Sequence, residues 1–216
     1  RLRFKGREAP FQIRLPLRHN VANAATVLAA LDLLGLDPEE FRGALAEIPG
    51  IPGRMESVSS PEEAFQIFVD YAHTPDAIEN VLAEALKLKP SRILTLLGCG
   101  GDRDRSKRPL MGRAACLYSN IVILTSDNPR SEDPEAILAD IRKGIPGNGQ
   151  GTQVIEILDR LEAIEKLISL AEAGDFLFVL GKGHEDYQII GDKKIPFDDR
   201  FVVRDCLKRK SGVFFS

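Results

Sequence analysis

The chain has 216 residues, with 29 Lys+Arg against 32 Asp+Glu and a formal charge of −3. That length suits one large domain or one domain with a piece of another, and the near-neutral balance removes the electrostatic footprint of a nucleic-acid binder. Cys99, Cys116 and Cys206 form neither a disulfide framework nor a zinc-ligand pattern, and apolar runs such as Phe176–Leu180 fall far short of the roughly 20 residues needed to cross a bilayer. The basic start lacks a following apolar stretch and is no secretory signal. Together these features fit a cytoplasmic protein with reduced thiols.

Residues 1–15 read as strand material, with Phe11, Ile13 and Leu15 alternating against Gln12 and Arg14. Asn20 or a neighbour can cap a helix reaching Leu34 and closed by Gly35, with Val21, Ala24, Ala25, Leu28 and Leu31 on its apolar face. A second helix is expected over 38–48, with Asp37 as N-cap, Pro38 in the first turn and Glu40 at the capping-box spacing. The breaker-rich run Pro49-Gly-Ile-Pro-Gly-Arg54 then marks a boundary. Beyond it the texture changes. Strands are expected at 66–70, 92–97, 121–125, 154–158 and 176–180, and helices at 75–88, 108–118, 134–143 and 159–173. A hairpin over 188–195 turns at Gly191-Asp192, and a last helix covers 198–210. Short apolar strands alternating with helices of this length imply an α/β fold, a mostly parallel sheet with helices on both faces.

In such sheets ligands bind beyond the carboxyl ends of the strands, where loops carry helix N-termini and free backbone N–H groups. The unusual polar residues fall there: 70–76, 98–104, 126–130 and 181–187 each follow a predicted strand. Gly98-Cys-Gly-Gly-Asp-Arg-Asp104 holds more glycine and charge than a plain turn needs, which favours a ligand loop. Asp127-Asn-Pro-Arg130 reads equally as an Asx turn, with Pro129 fixing φ, or as a ligand loop. Gly181-Lys-Gly-His lacks the frame of a nucleotide phosphate loop, and Gly98-x-Gly-Gly does not match the dinucleotide fingerprint. Arg103 and Arg130 offer planar forks for carboxylates, Asp127 and Glu185 suit ammonium groups, and Asn128 suits either. The mixture fits a small zwitterion, or else an internal network in which these charges pair with one another. His19, His73 and His184 lie too far apart for a three-histidine metal site. The cysteines read as core or turn residues more than as nucleophiles; Cys99, inside the glycine loop, is the one to test.

Taken in order, His19-Asn-x-x-Asn23, Pro52-Gly-Arg-Met-Glu56, Val69-Asp-Tyr-Ala-His-Thr-Pro-Asp76, the glycine loop with Lys107-Arg-Pro-Leu-Met111, Ser126-Asp-Asn-Pro-Arg130 and Gly181-Lys-Gly-His-Glu-Asp-Tyr-Gln188 resemble the Mur ligases, from about residue 8 onward. The match is strongest to the branch that adds the third amino acid. The resemblance implies an ATP-dependent ligase of peptidoglycan precursor synthesis, using Mg2+ and joining meso-diaminopimelate to UDP-N-acetylmuramoyl-L-alanyl-D-glutamate through an acyl phosphate. It implies that 1–53 is the end of a central ATP-binding domain and 54–216 a C-terminal Rossmann-like domain. Carried over by motif, Asn23 would contact adenine, Arg54 the ATP phosphates and Asp70 the ribose, with His73 in the same loop and 49–54 as a hinge. Arg103, Asp127, Asn128, Pro129, Arg130, Gly181 and Glu185 would hold the incoming amino acid, Arg130 gripping the distal carboxylate that lysine lacks. No ATP phosphate loop occurs in these residues; that loop, the metal ligands and the catalytic groups are expected upstream, so the chain alone is expected to be inactive. A lysine-adding relative and a non-catalytic scaffold are the competing expectations. No nucleic-acid or membrane partner is expected.

Overall fold

Two short strands open the chain, β1 (Leu2–Phe4) and β2 (Arg7–Ala9), paired antiparallel with Phe4 opposite Arg7. The strand material expected over 1–15 includes this hairpin; Phe11 and Leu15 lie outside the described residues, and Ile13 belongs to no strand. The computed structural model describes residues 2–4, 7–9, 13, 18–48, 50–60, 62–147 and 151–210. It divides into two compact units, Arg1–Ile51 and Pro52–Ser216.

In the first unit, helix α1 (Arg18–Leu33) ends where Gly35 takes φ +78, the left-handed conformation that closes many helices. The helix expected over 38–48 is a 3-10 turn, Pro38–Phe41, followed by a short α2 (Arg42–Glu47). Asp37 explains the difference. Its carboxylate accepts from Glu39 N (3.0 Å) and its carbonyl from Glu40 N (3.1 Å), which tightens the first turn instead of forming a capping box.

The second unit carries the sheet. Its elements are β3 (Glu56–Ser57), β4 (Gln66–Asp70), α3 (Pro75–Leu86), β5 (Ile93–Cys99), α4 (Lys107–Tyr118), β6 (Ile121–Ser126), α5 (Pro134–Arg142), β7 (Gln153–Glu156), α6 (Arg160–Ser169), β8 (Phe176–Leu180), β9 (Tyr187–Ile190), β10 (Lys193–Pro196) and α7 (Asp199–Lys210). The six-stranded sheet runs β3-β4-β8-β5-β6-β7. All neighbours are parallel except β3 with β4. β3 escapes a pattern search because its two residues are polar and too short to alternate. Thr74, Asp133 and Asp159 cap α3, α5 and α6 through their side chains, and proline follows the first two. α3 stops two residues early because i→i+3 bonds tighten its end before Lys89 turns left-handed at φ +57.

The core follows from strand alternation. Ile67, Val69, Leu94, Leu96, Ile121, Ile123, Leu177 and Val179 face a cluster completed by Ile164, Leu167 and Val203 of α6 and α7. On the opposite face α3, α4 and α5 pack side by side. β5 is buried along its whole length. β8, buried at four of its five positions, lies between β4 and β5. That placement matters for function, because it sets β4, β8, β5 and β6 next to one another with their loop-bearing ends on one edge. Among the described residues no helix is long and apolar enough to cross a membrane.

Candidate functional site

At that edge lies a cavity of about 300 Å³, whose wall includes Gly98, Arg103, Asp127, Asn128, Arg130 and Glu185. Gly181 and His73 also line it. Pro129 is buried behind Arg130 and not on the wall, and neither Asp70 nor Arg54 reaches it. Asn23 is exposed in the first unit, where its Nδ2 donates to Asn20 Oδ1 (3.4 Å).

The acidic part of the wall is internally wired. Asn128 Nδ2 donates to Asp127 Oδ1 (3.1 Å) and Glu185 Oε2 (2.9 Å), joining two loops that are far apart in sequence. Below them the buried ammonium of Lys182 stands 3.5 Å from both carboxylates and donates to the Tyr187 carbonyl. Burial pushes the Asp127 carboxyl above its ordinary range, opposed by the nearby cations Arg160 and Lys182. Gly181 takes φ +111 and brings its backbone against the Asp127 carboxylate. The internal-network alternative therefore holds for the carboxylates, which are shared with Lys182. It extends to Arg108 on the wall, paired with Glu132 and Asp140, but not to the other two arginines there: among the described residues, neither Arg103 nor Arg130 is in an ion pair. Arg130 Nη1 donates to the Gly101 carbonyl (2.8 Å), and Arg103 Nη1 to the Asp102 carbonyl (3.1 Å).

Two charged groups beneath the loops were not distinguishable in sequence. Arg108, almost wholly buried, donates Nη2 to the Gly100 carbonyl (3.2 Å) and to Glu132 Oε1 (2.7 Å), and Nη1 to Glu132 Oε2 (2.9 Å) and Asp140 Oδ2 (3.0 Å). The Arg108 hydrogen bonds hold the Glu132 carboxyl down to about 2. Glu132 also accepts from Asp102 N (2.6 Å), so this network moors the glycine loop to the 127–132 loop. The fit is tight: a Cβ on Gly101 would come 1.9 Å from the Pro129 carbonyl oxygen. On the other flank Arg160 pairs with Asp199 and reaches the Ser126 and Leu180 carbonyls, the ends of β6 and β8. Nothing in the local pattern marks Arg160, since a helical arginine is ordinarily solvated, and the Lys107–Met111 motif places Arg108 without showing its burial or its partners. Lys182 sits inside a recognised motif, but comparison with phosphate loops alone did not show it as the partner of two carboxylates.

The remaining candidates gather around Tyr71. Asp70 is buried, with Oδ2 accepting from Met55 N (2.7 Å) and Oδ1 from Ala72 N (2.8 Å), so it holds the 53–55 turn against β4. Tyr71 N donates to the Gly53 carbonyl (2.8 Å). The exposed Arg54 guanidinium lies 4.9 Å from the Tyr71 ring centroid, with the His73 ring at 4.5 Å and the His184 ring at 5.3 Å. His73 Nδ1 donates to the Tyr71 carbonyl (2.7 Å), which leaves Nε2 as its outward atom. His184 thus belongs to this aromatic group and not to the cavity wall. The side chain of His19 lies outside the described residues. Cys99 agrees with the reading of the cysteines as core or turn residues. Its Sγ donates to Met111 Sδ (3.6 Å), and burial pushes the thiol up to about 12, so it is a packed core group and no nucleophile.

This cavity lies at the carboxyl edge of a mostly parallel sheet, in an α/β domain. Residues 53–183 match the family described as Mur ligase, glutamate ligase domain, and the chain belongs to the Mur ligase family. It is similar to the UDP-N-acetylmuramoyl-L-alanyl-D-glutamate–2,6-diaminopimelate ligase of Synechocystis sp. (strain ATCC 27184 / PCC 6803 / Kazusa), 48% identical over 93% of this chain and 39% of that protein. The ligase of the same name from Aquifex aeolicus (strain VF5) is 46% identical over 96% of this chain and 42% of that one. A solved structure of a ligase with this name superposes with a TM-score of 0.71 at 42% identity, over 92% of this chain and 40% of its own. The alanine-adding ligase of Thermotoga maritima shares the fold at a TM-score of 0.65 and 24% identity, over 96% of this chain and 41% of that chain. The chain spans about two fifths of the length of the relatives it matches.

Proposed function

We propose that the protein bearing this chain is an ATP-dependent amide ligase that adds meso-diaminopimelate to UDP-N-acetylmuramoyl-L-alanyl-D-glutamate in peptidoglycan precursor synthesis. The observation that carries this reading is the charge layout of the cavity. Two arginines outside any ion pair share one small cavity with a carboxylate pair and an amide, a set suited to a ligand with carboxylates and ammonium groups at both ends. Arg130 and Arg103 would grip the carboxylates, and Asp127, Asn128 and Glu185 the ammonium groups. The names of relatives at 46–48% identity support the same substrate.

In this reading 1–53 is the end of the central ATP-binding domain and 54–216 the C-terminal Rossmann-like domain; the division between Ile51 and Pro52 supports a boundary there. Asn23 contacts adenine, Arg54 the phosphates and Asp70 the ribose. The exposed Arg54 and His73, flanking Tyr71, fit an anionic nucleotide. ATP supplies the phosphoryl group that activates the D-glutamyl carboxylate. The residues of this chain bind and orient the amine that attacks it, and keep that amine beside carboxylates able to take up its proton. Among the described residues no group of three or more His, Cys, Asp or Glu side chains is arranged for a metal ion. By the family resemblance the Mg2+ ligands and the phosphate loop are assigned to sequence outside this chain, and on this reading the chain alone is inactive.

The test is amino-acid-dependent ADP release by the full-length protein with meso-diaminopimelate or L-lysine, alongside Arg130→Ala. Loss of one charge-assisted carboxylate contact predicts a KM for diaminopimelate higher by about 10–100-fold in the variant. A wild-type preference for lysine would reject the substrate, and product formation by the 216-residue chain alone would reject its inactivity.

A further inference from the structure

Arg130 is held in an unusual way. Its φ of +52 is the left-handed region, uncommon for a residue with a side chain and stable only where the surroundings over-determine it. What over-determines it is β9. Arg130 N donates to the Ile189 carbonyl (3.1 Å), and its carbonyl accepts from Gly191 N (2.8 Å), forming a parallel bridge to Ile190. The same strand grips the two preceding pocket residues. Ile189 N donates to Asn128 Oδ1 (2.9 Å), and Gln188 Nε2 donates to the Asp127 carbonyl (2.7 Å).

The hairpin register explains why these groups are available. Ile190 and Lys193 flank the two-residue turn, so Ile189, opposite Lys194, occupies the position whose N–H and C=O point away from the partner strand. β9 therefore offers the 127–130 loop a strand edge, and the loop docks on it as an added strand would. The family match ends at Gly183, so the hairpin lies beyond the residues that define the shared domain.

We propose that the β9–β10 hairpin is a backbone template for Arg130, with Gln188 as its positioning residue, and that it sets the pocket's selectivity for an amino acid carrying a second carboxylate. The inference rests on the reading of Arg130 as the distal-carboxylate contact. It adds that the selectivity is held by an element that lines no part of the pocket.

The experiment uses the full-length ligase with two variants. Gln188→Met removes the donor to Asp127 at similar volume. Ile189→Pro removes an outward N–H while sparing the hairpin ladder. Each is expected to raise the KM for meso-diaminopimelate about tenfold, the loss of roughly one net hydrogen bond. The preference over L-lysine falls by the same factor, while kcat and the KM for ATP stay within about twofold. An unchanged diaminopimelate KM and selectivity in a folded Gln188→Met enzyme overturns the proposal, even if Ile189→Pro fails to fold. So does a parallel loss of kcat and of both KM values, which is the mark of a merely structural hairpin. If Arg130→Ala itself keeps the preference, the reading of Arg130 fails, and the proposal falls with it for that separate reason.

Discussion

Replacing Arg160 by methionine should strongly destabilise the second unit. Arg160 and Asp199 are both fully buried, and the pair is bidentate, Nε to Oδ1 at 2.8 Å and Nη2 to Oδ2 at 2.7 Å. Two further bonds, each 3.2 Å, tie the guanidinium to the Ser126 and Leu180 carbonyls. Methionine supplies similar volume and none of these donors, so Asp199 would be left charged in a dry site. Breaking a buried pair in this way costs about 3–5 kcal/mol. For a domain of this size about 1 kcal/mol moves the midpoint by about 2–4 °C, so thermal unfolding followed by circular dichroism should fall by about 6–20 °C. The double variant Arg160→Met/Asp199→Leu removes both charges and should recover most of that loss. A single-variant shift below about 2 °C would refute the reasoning, because it would mean that Asp199 is solvated or protonated once its partner is gone.

Acid sensitivity should trace to the Arg108 network. Glu132 is held down to about 2 by its Arg108 hydrogen bonds, and Asp140 is lowered by Lys143, Arg105 and Arg108. Both carboxyls titrate lower in the folded than in the unfolded chain, so their stabilisation is complete above about pH 4.5 and is lost as pH falls toward 2. Urea unfolding of Glu132→Gln should accordingly show a shallower loss between those pH values than the wild type; parallel curves would count against it. Gly101→Ala places a methyl 1.9 Å from the Pro129 carbonyl and should destabilise the chain by about 1–3 kcal/mol and weaken diaminopimelate binding. Gly147→Ala, whose added methyl has nothing among the described residues within 4 Å, should do neither, and calorimetric titration of both variants checks the contrast.

Much of the second unit was legible locally. Short apolar runs within 66–70, 121–125 and 176–180 declared buried parallel strands, and Pro75 and Pro134 stand in the first turns of the helices expected there. The Gly191-Asp192 turn was read where it stands. The errors share a cause. β3 is too short to show a period, and the 38–48 helix was altered by one aspartate that bonds its own turn.

By itself the sequence determined the strands, the motif order and the residue types that meet an ionic ligand, because each follows from neighbours a few positions apart. The tertiary structure decided three things. β8 lies between β4 and β5, which brings the 181–187 loop beside loops set more than 80 residues earlier. Arg108, Arg160 and Lys182 become buried partners of carboxylates. The edge of β9 holds Arg130 in a backbone conformation it would not adopt alone. Each depends on chain segments remote in sequence, whose pairing is set by burial and hydrogen-bond satisfaction across the whole domain, and no local window carries that information.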